Sequence, residues 1–309
     1  MLGRDRDMPG TTGHTADGFA VFFHRKVDDV RASTAGQPPP SVYNAAHSTL
    51  SSFHLCMEPE VHRLIMKSPI KSCSLDSLPT FLLREQIDSM LPFITRMINA
   101  SLRHGRLPDI QKHAIVTLLL KKPGLDINDM ANYHPVSNLT FLSKVIERIV
   151  AQQLNDYLAA NNLLTGNQSA YKRFHSTETT MLRVLSDALM SVDAQKVTLL
   201  SLLDLSAAFD CVDHPQLLLQ LQRNFGLTGQ VLRWLTSFLN GRTQQIAYAG
   251  LVSATHSVFF GVLQGSVLGP ILFNLYTADI HLLVAAHGLV LHQYLIVRRL
   301  LSNLYCHTC

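Results

Sequence analysis

The run Val-Thr-Leu-Leu-Ser-Leu-Leu-Asp-Leu at residues 197–205 constrains the fold more than any other stretch. It is apolar at almost every position, as expected of a central strand covered on both faces. Asp204, near its end, either faces a cleft or caps the next turn, and the pattern leaves both readings open. Downstream, Pro215 suits the first turn of a helix. A carboxylate at a helix start complements the helix dipole, so Asp210 and Asp213 read as structural. A glycine-rich loop, Gly-Val-Leu-Gln-Gly-Ser-Val-Leu-Gly-Pro at residues 261–270, then opens another helix. Gly265 there permits close backbone approach, and a helix N-terminus favours phosphate.

The N-terminal half is mostly helical in pattern. Phe19, Phe22, Phe23 and Val27 hint at an amphipathic segment, followed by an extended linker, Gly36-Gln37-Pro38-Pro39-Pro40-Ser41. Val61, Leu64 and Ile65 mark one helix. A second stripe runs from Leu82 through Ile87, Met90, Ile94 and Ile98 towards Gly105. Residues 114–120 form a short β-compatible run that ends in the basic turn Lys121-Lys122-Pro123-Gly124. The cleanest helix spans residues 141–158, with apolar side chains at three- and four-residue steps. Lys144, Glu147 and Arg148 fall on its polar side, and Asn138 or Thr140 caps it. Helices are expected over 215–225 and around Trp234 as far as Gly241. A hairpin over 243–248 and 257–260 and a helix over 270–276 complete the pattern.

A chain of 309 residues with 47% hydrophobic content supports a substantial core in one large or two small domains. A net charge of +4 is compatible with nucleic-acid binding without arguing for it. The fifteen histidines are scattered, and five cysteines in a long chain do not make a secreted disulfide scaffold. Cys306-His307-Thr308-Cys309 has the spacing of half a zinc site without a second pair, so it reads as an irregular tail with free thiols. The N-terminus lacks the apolar core of a signal peptide. Residues 282–297 are interrupted by His287 and His292 and fall short of the ~20 apolar residues a membrane helix needs. The expectation is an intracellular protein without a membrane partner, with nucleus or cytoplasm left open.

Several separated blocks carry a resemblance. They are Asp76-Ser77-Leu78-Pro79, residues 118–126 around Lys121-Lys122-Pro123-Gly124, and Asn132-Tyr133-His134-Pro135-Val136-Ser137-Asn138-Leu139. Phe141-Leu142-Ser143-Lys144-Val145-Ile146-Glu147-Arg148, Gln168-Ser169-Ala170-Tyr171-Lys172-Arg173 and His175-Ser176-Thr177-Glu178-Thr179 follow in order. Leu-Asp-Leu-Ser-Ala-Ala-Phe-Asp at 203–210 and Gln-Gly-Ser-Val-Leu-Gly-Pro at 264–270 are the most specific. Over roughly residues 15–294, the chain resembles the reverse transcriptase of LINE-class, non-LTR retrotransposons. The resemblance implies an α+β fold, a right-hand polymerase. Residues 1–50 would be a largely irregular linker, 51–110 a helical N-terminal extension, 111–195 the fingers, 196–294 a partial palm and 295–309 a tail outside the family, with no thumb.

The family activity is RNA-directed DNA synthesis with Mg²⁺, an RNA template, a DNA primer and a dNTP. Such transfer uses two metal ions ~4 Å apart held by carboxylates. By resemblance Asp204 is the first metal-binding catalytic carboxylate. Phe209 matches the aromatic that rejects a 2′-hydroxyl, its alternative being a place in the core. Gln264 and Gly265 match the loop near template and nucleotide. Lys121, Lys122 and Arg173 lie in finger segments facing nucleic acid or triphosphate. No protein partner is identifiable.

The departures are as informative. His134 stands where the family has an Arg, and imidazole cannot make the bidentate fork of guanidinium. Leu263 replaces a Pro. An aromatic followed by Ala-Asp-Asp is expected near His292-Gln293-Tyr294, but the chain continues Leu295-Ile296-Val297-Arg298-Arg299. Tyr276-Thr277-Ala278-Asp279 matches the end of the preceding helix, so Asp279 is assigned no catalysis. The expectation is a catalytically defective, truncated copy, or else a non-catalytic nucleic-acid-binding remnant. Loss of the catalytic hairpin would leave palm strands with open edges.

Overall fold

The computed structural model describes residues 13–37, 46–164, 168–169, 175–203, 207–296 and 299–307. Its first element corrects the expectation of an irregular N-terminal segment. Helix α1 (Ala16–Ser33) starts at Thr15, whose hydroxyl accepts from the Gly18 amide, the usual remedy for an orphan N-terminal donor. Its Phe19 and Ala20 are buried, and the Phe19 ring meets Tyr133 at 5.0 Å and Tyr248 at 4.7 Å. Helices α2 (Glu58–Lys67), α3 (Thr80–Glu85) and α4 (Ile87–His104) follow. The stripe expected to be continuous from Leu82 to Ile98 is split at Gln86, and Gly105 closes α4 in the left-handed conformation (φ +64°).

Strands β1 (His113–Leu120) and β2 (Tyr133–Asn138) pair antiparallel, from Leu120 opposite Tyr133 to Ile115 opposite Asn138. Helix α5 (Phe141–Ala160) is capped by Thr140, which accepts from the Ser143 amide. Asn138 bonds instead to the Ile115 carbonyl and the Thr117 hydroxyl, locking β2 to β1. Then come α6 (Thr177–Asp193), β3 (Thr198–Leu203), α7 (His214–Arg223) and α8 (Gly229–Leu239). The expected hairpin is present as β4 (Arg242–Tyr248), β5 (Leu251–Val252) and β6 (His256–Val258). Strand β4 runs parallel to β1 and antiparallel to β5 and β6, giving the order β2-β1-β4-β5 with β6 also on β4.

Helices α9 (Gly269–Tyr276) and α10 (Asp279–Ala286) together form an 18-residue stretch with mean hydropathy 1.2, apolar enough to cross a membrane by length and composition. It is broken at Thr277-Ala278, and α9 puts Leu272, Phe273 and Leu275 into the same core as α2, α4, α5, α7 and α8. Trp234 is fully buried in that core, stacked on Phe238 at 5.7 Å, with its indole N–H donating to the Ser101 hydroxyl at 3.0 Å.

The second sheet overturns two expectations. Strands β7 (Leu289–Ile296) and β8 (Arg299–His307) form an antiparallel hairpin, and β8 inserts between β7 and β3. Residues 299–307 are therefore a strand rather than an irregular tail, and Cys306 lies within it. Ladder pairing uses backbone groups, so a segment without family side chains can still fill a strand position. Among the described residues β3 pairs only with β8, at the sheet edge, with Leu199 61% and Leu200 45% exposed. It is not the doubly covered central strand that its composition suggested.

Candidate functional site

The turn that follows β3 is held tightly against the glycine loop. Ala207 adopts a left-handed conformation (φ +51°), and its carbonyl accepts from the amides of Asp210 and Cys211. The Gly261 amide donates to the Val212 carbonyl at 2.8 Å and the Val262 amide to the Phe209 carbonyl at 2.7 Å. The Ser137 amide of β2 donates to the Gln264 carbonyl at 2.7 Å. Gly265, at φ +113°, makes that approach possible, because a Cβ there would lie 2.4 Å from the Ser137 carbonyl oxygen.

Between these segments and α1 lies a cleft of about 150 Å³. Ala207, Asp210 and Gln264 line it on one side, Pro135 and Ser137 on β2, and Phe23, Lys26 and Val27 on α1. The Gln264 amide donates to both Asp210 carboxylate oxygens at 3.2 Å. Burial raises the Asp210 carboxyl from 3.8 to about 6, against the opposing pull of Gln264 and the Lys26 charge. The folded chain thus keeps a proton that the unfolded chain has released between those two values. Stability therefore falls as pH rises through that window, by at most about 3 kcal/mol. Asp210→Asn is expected to be less pH-dependent than the unaltered chain between pH ~4 and ~6. Urea midpoints at both ends of the window, equal in slope for the two proteins, would refute this.

Under the loop stands a residue that the helical pattern misplaced. Glu147 is not on the polar side of α5; it is fully buried. It accepts from the Val267 amide at 2.7 Å, the Leu268 amide at 3.2 Å and the Ser143 hydroxyl at 3.2 Å. Burial pushes its pKa up, and the Arg242 charge and these donors oppose that. Arg242 is buried too; burial lowers its pKa to about 10 and Glu147 opposes the shift. Glu147 thus braces the start of α9 from below.

The other sequence-predicted residues are dispersed. Phe209 is 6% exposed, stacks on Phe273 of α9 at 4.7 Å, and does not line the cleft. That is the core position left open for it by the sequence. Asp213 caps α7 through the Gln216 amide at 3.0 Å and pairs with Arg31 at 3.2 Å, in keeping with its structural reading. Asp279 is buried and accepts from the Asn224 side chain at 2.7 Å. Lys121 donates to the Ala131 carbonyl at 2.7 Å, and Lys122 is exposed beside it. Asp204 and Arg173 lie outside the described residues. Strand β7 is anchored where the missing motif was expected: His292 bonds to the Asp187 carboxylate at 2.8 Å and Gln293 donates to the Thr277 hydroxyl at 2.7 Å.

The family model described as reverse transcriptase (RNA-dependent DNA polymerase) matches residues 120–295. The chain is 30% identical over 230 residues to the probable RNA-directed DNA polymerase from transposon X-element of Drosophila melanogaster, covering 74% of this chain and 25% of that protein. It is 31% identical over 221 residues to the RNA-directed DNA polymerase from mobile element jockey of the same organism, covering 71% and 24%. A retrovirus-related Pol polyprotein from the type-1 retrotransposable element R2 of Popillia japonica is 30% identical over 163 residues, 52% of this chain and 22% of that one. Among solved structures, a partial Cas6-RT-Cas1--Cas2 complex superposes with a TM-score of 0.40 at 16% identity, over 80% of this chain and 37% of that one. The chain spans about a quarter of the length of these curated relatives. With more than half of its residues inside the family match, the chain belongs to the reverse transcriptase family, in the branch carried by non-LTR retrotransposons.

Proposed function

We propose that this chain carries the fingers and part of the palm of a reverse transcriptase and does not polymerise. The observation that carries this is the β7–β8 hairpin. It occupies the stretch where the family pattern has Ala-Asp-Asp, yet residues 280–307 contain no Asp or Glu. Mg²⁺ takes oxygen ligands, chiefly carboxylates. Among the described residues no group of three or more His, Cys, Asp or Glu side chains could hold a metal ion. Asp210, the carboxylate on the cleft wall, already has both oxygens engaged by Gln264. Asp204 lies outside the described residues, and the carboxylates among the described ones do not make a two-metal donor set, so no catalytic step is assigned. Primer extension on an RNA template with a DNA primer, dNTPs and Mg²⁺ or Mn²⁺ is expected to yield no product, with or without Asp204→Ala. Extension that Asp204→Ala abolishes would overturn the proposal.

A nucleic-acid-binding remnant is the second reading, favoured by the exposed basic turn at Lys121-Lys122. Each phosphate neutralised on a single strand contributes ~0.7 to the slope of log affinity against log salt. The double variant Lys121→Ala, Lys122→Ala is expected to flatten that slope by ~1.4 for a single-stranded oligonucleotide. An unchanged slope would place binding elsewhere.

A further inference from the structure

Helix α6 turns an apolar stripe to solvent. Met181, Leu185 and Leu189 recur at four-residue steps with Leu182 beside them, and all four are more than half exposed. The residues that α6 buries are Thr180, Val184 and Ser191. The helix lies across one face of the second sheet, where Asp187 bonds to His292 of β7 at 2.8 Å. A tight turn, closed by the Lys196 amide on the Ser191 carbonyl at 2.8 Å, then leads into β3.

Strand β3 leaves a second feature uncovered beside the stripe. Successive strand residues face opposite sides of a sheet, and Leu199 and Leu200 are both exposed, so neither side of this edge is shielded. Among the described residues its outer backbone groups have no ladder partner. Three other edges are blunted in ways that natural sheets use. The Ser169 amide covers β7 by donating to the Gln293 carbonyl at 3.0 Å, β2 carries Pro135, and β5 is two residues long. The Thr-Leu-Leu-Ser-Leu-Leu of β3 has no charge and no proline. An edge open in this way is a template for another strand.

A second copy of the chain offers that strand. A two-fold axis normal to the sheet sets β3 antiparallel to its mate, pairs both edges at once and leaves the two α6 helices on the same face. The six apolar side chains of stripe and strand are between 45% and 64% exposed. They leave on the order of 600 Å² open in one copy, so two copies would hide about 1,200 Å², the lower bound for a specific, stable interface. We propose that β3 and the apolar stripe of α6 form a two-fold dimer interface between copies of this chain, joining two three-stranded sheets into one of six strands.

Sedimentation velocity of the full chain over a wide concentration range tests it. Leu200→Lys puts a charge on the strand edge and Leu185→Glu puts one on the stripe. Phe93→Lys, at an exposed apolar position of α4, is the control. All three positions are at the surface, and thermal melts confirm that each variant is folded. The unaltered chain is expected to show a monomer–dimer equilibrium, weakened at least about tenfold by Leu200→Lys and by Leu185→Glu and unchanged by Phe93→Lys. Ser201→Cys checks the pairing itself. Ser201 lies at the middle of β3, so mild oxidation should join position 201 of one copy to position 201 of the other, and adding Leu185→Glu should suppress that link. A monomer at every concentration, assembly that grows beyond the dimer, or a dimer that both charged variants leave intact overturns the inference.

Discussion

Replacing Glu147 by alanine is expected to lower folding stability by about 2–6 kcal/mol, because two backbone amides at the start of α9 lose their acceptor at about 1–3 kcal/mol each. Arg242 would stay buried without its opposing carboxylate. Its Nε donates to the Phe238 carbonyl, but both terminal nitrogens already lack a hydrogen-bond partner. The Val267 and Leu268 amides would lose their acceptor at the start of α9, and an orphaned buried donor costs about 1–3 kcal/mol by itself. Glu147→Gln keeps an acceptor oxygen and most of the volume, so it should fall between the two. Denaturant midpoints give the size of the effect. Hydrogen exchange gives its location, with the Val267 and Leu268 amides expected to exchange faster than those of α8. A loss under about 1 kcal/mol for the alanine variant, or unchanged exchange at these two amides, would mean that something other than this carboxylate holds the loop.

Glu147 also marks the limit of what a periodic pattern reveals. Its spacing on α5 is that of a polar position between Lys144 and Arg148, and local sequence supplies no reason to bury it. The reason lies in the α9 start and in Arg242, which only the folded chain brings beneath it. Features decided within one turn of backbone were legible. Thr140 caps α5, Asp213 caps α7, Gly105 closes α4, and the strand from His113 ends at the basic turn. Features decided by distant partners were not. The amphipathic pattern of Phe19, Phe22, Phe23 and Val27 does not say that α1 packs on aromatic rings of β2 and β4, and Phe209 is placed by Phe273. Strand β3 reads as doubly covered, yet among the described residues it pairs only with β8, and backbone pairing gives the sequence no sign of which strand sits beside it. The cleft was half legible. Gln264 and Gly265 are marked by their loop, whereas Asp210 reads as structural and Lys26 sits on a helix without a motif.

Gly265→Ala is expected to destabilise the chain by about 2–6 kcal/mol, because two costs fall on one atom. At φ +113° the backbone is in a region that L residues rarely adopt, a strain of about 1–3 kcal/mol. The new Cβ would also lie 2.4 Å from the Ser137 carbonyl oxygen. That atom belongs to a paired strand and cannot rotate away, so β2 or the loop must shift, at about 1–3 kcal/mol. Gly124→Ala separates the two costs. Gly124 also has positive φ, +82°, but nothing lies within 4 Å of the place its Cβ would take, so that variant should lose only about 1–2 kcal/mol. The difference between the variants then measures the close approach of loop and strand. It should appear together with loss of the Ser137–Gln264 backbone hydrogen bond, read as faster exchange of the Ser137 amide. Equal losses in the two variants would show that conformational strain alone explains the glycine, and that β2 does not hold the loop that carries Gln264 to Asp210.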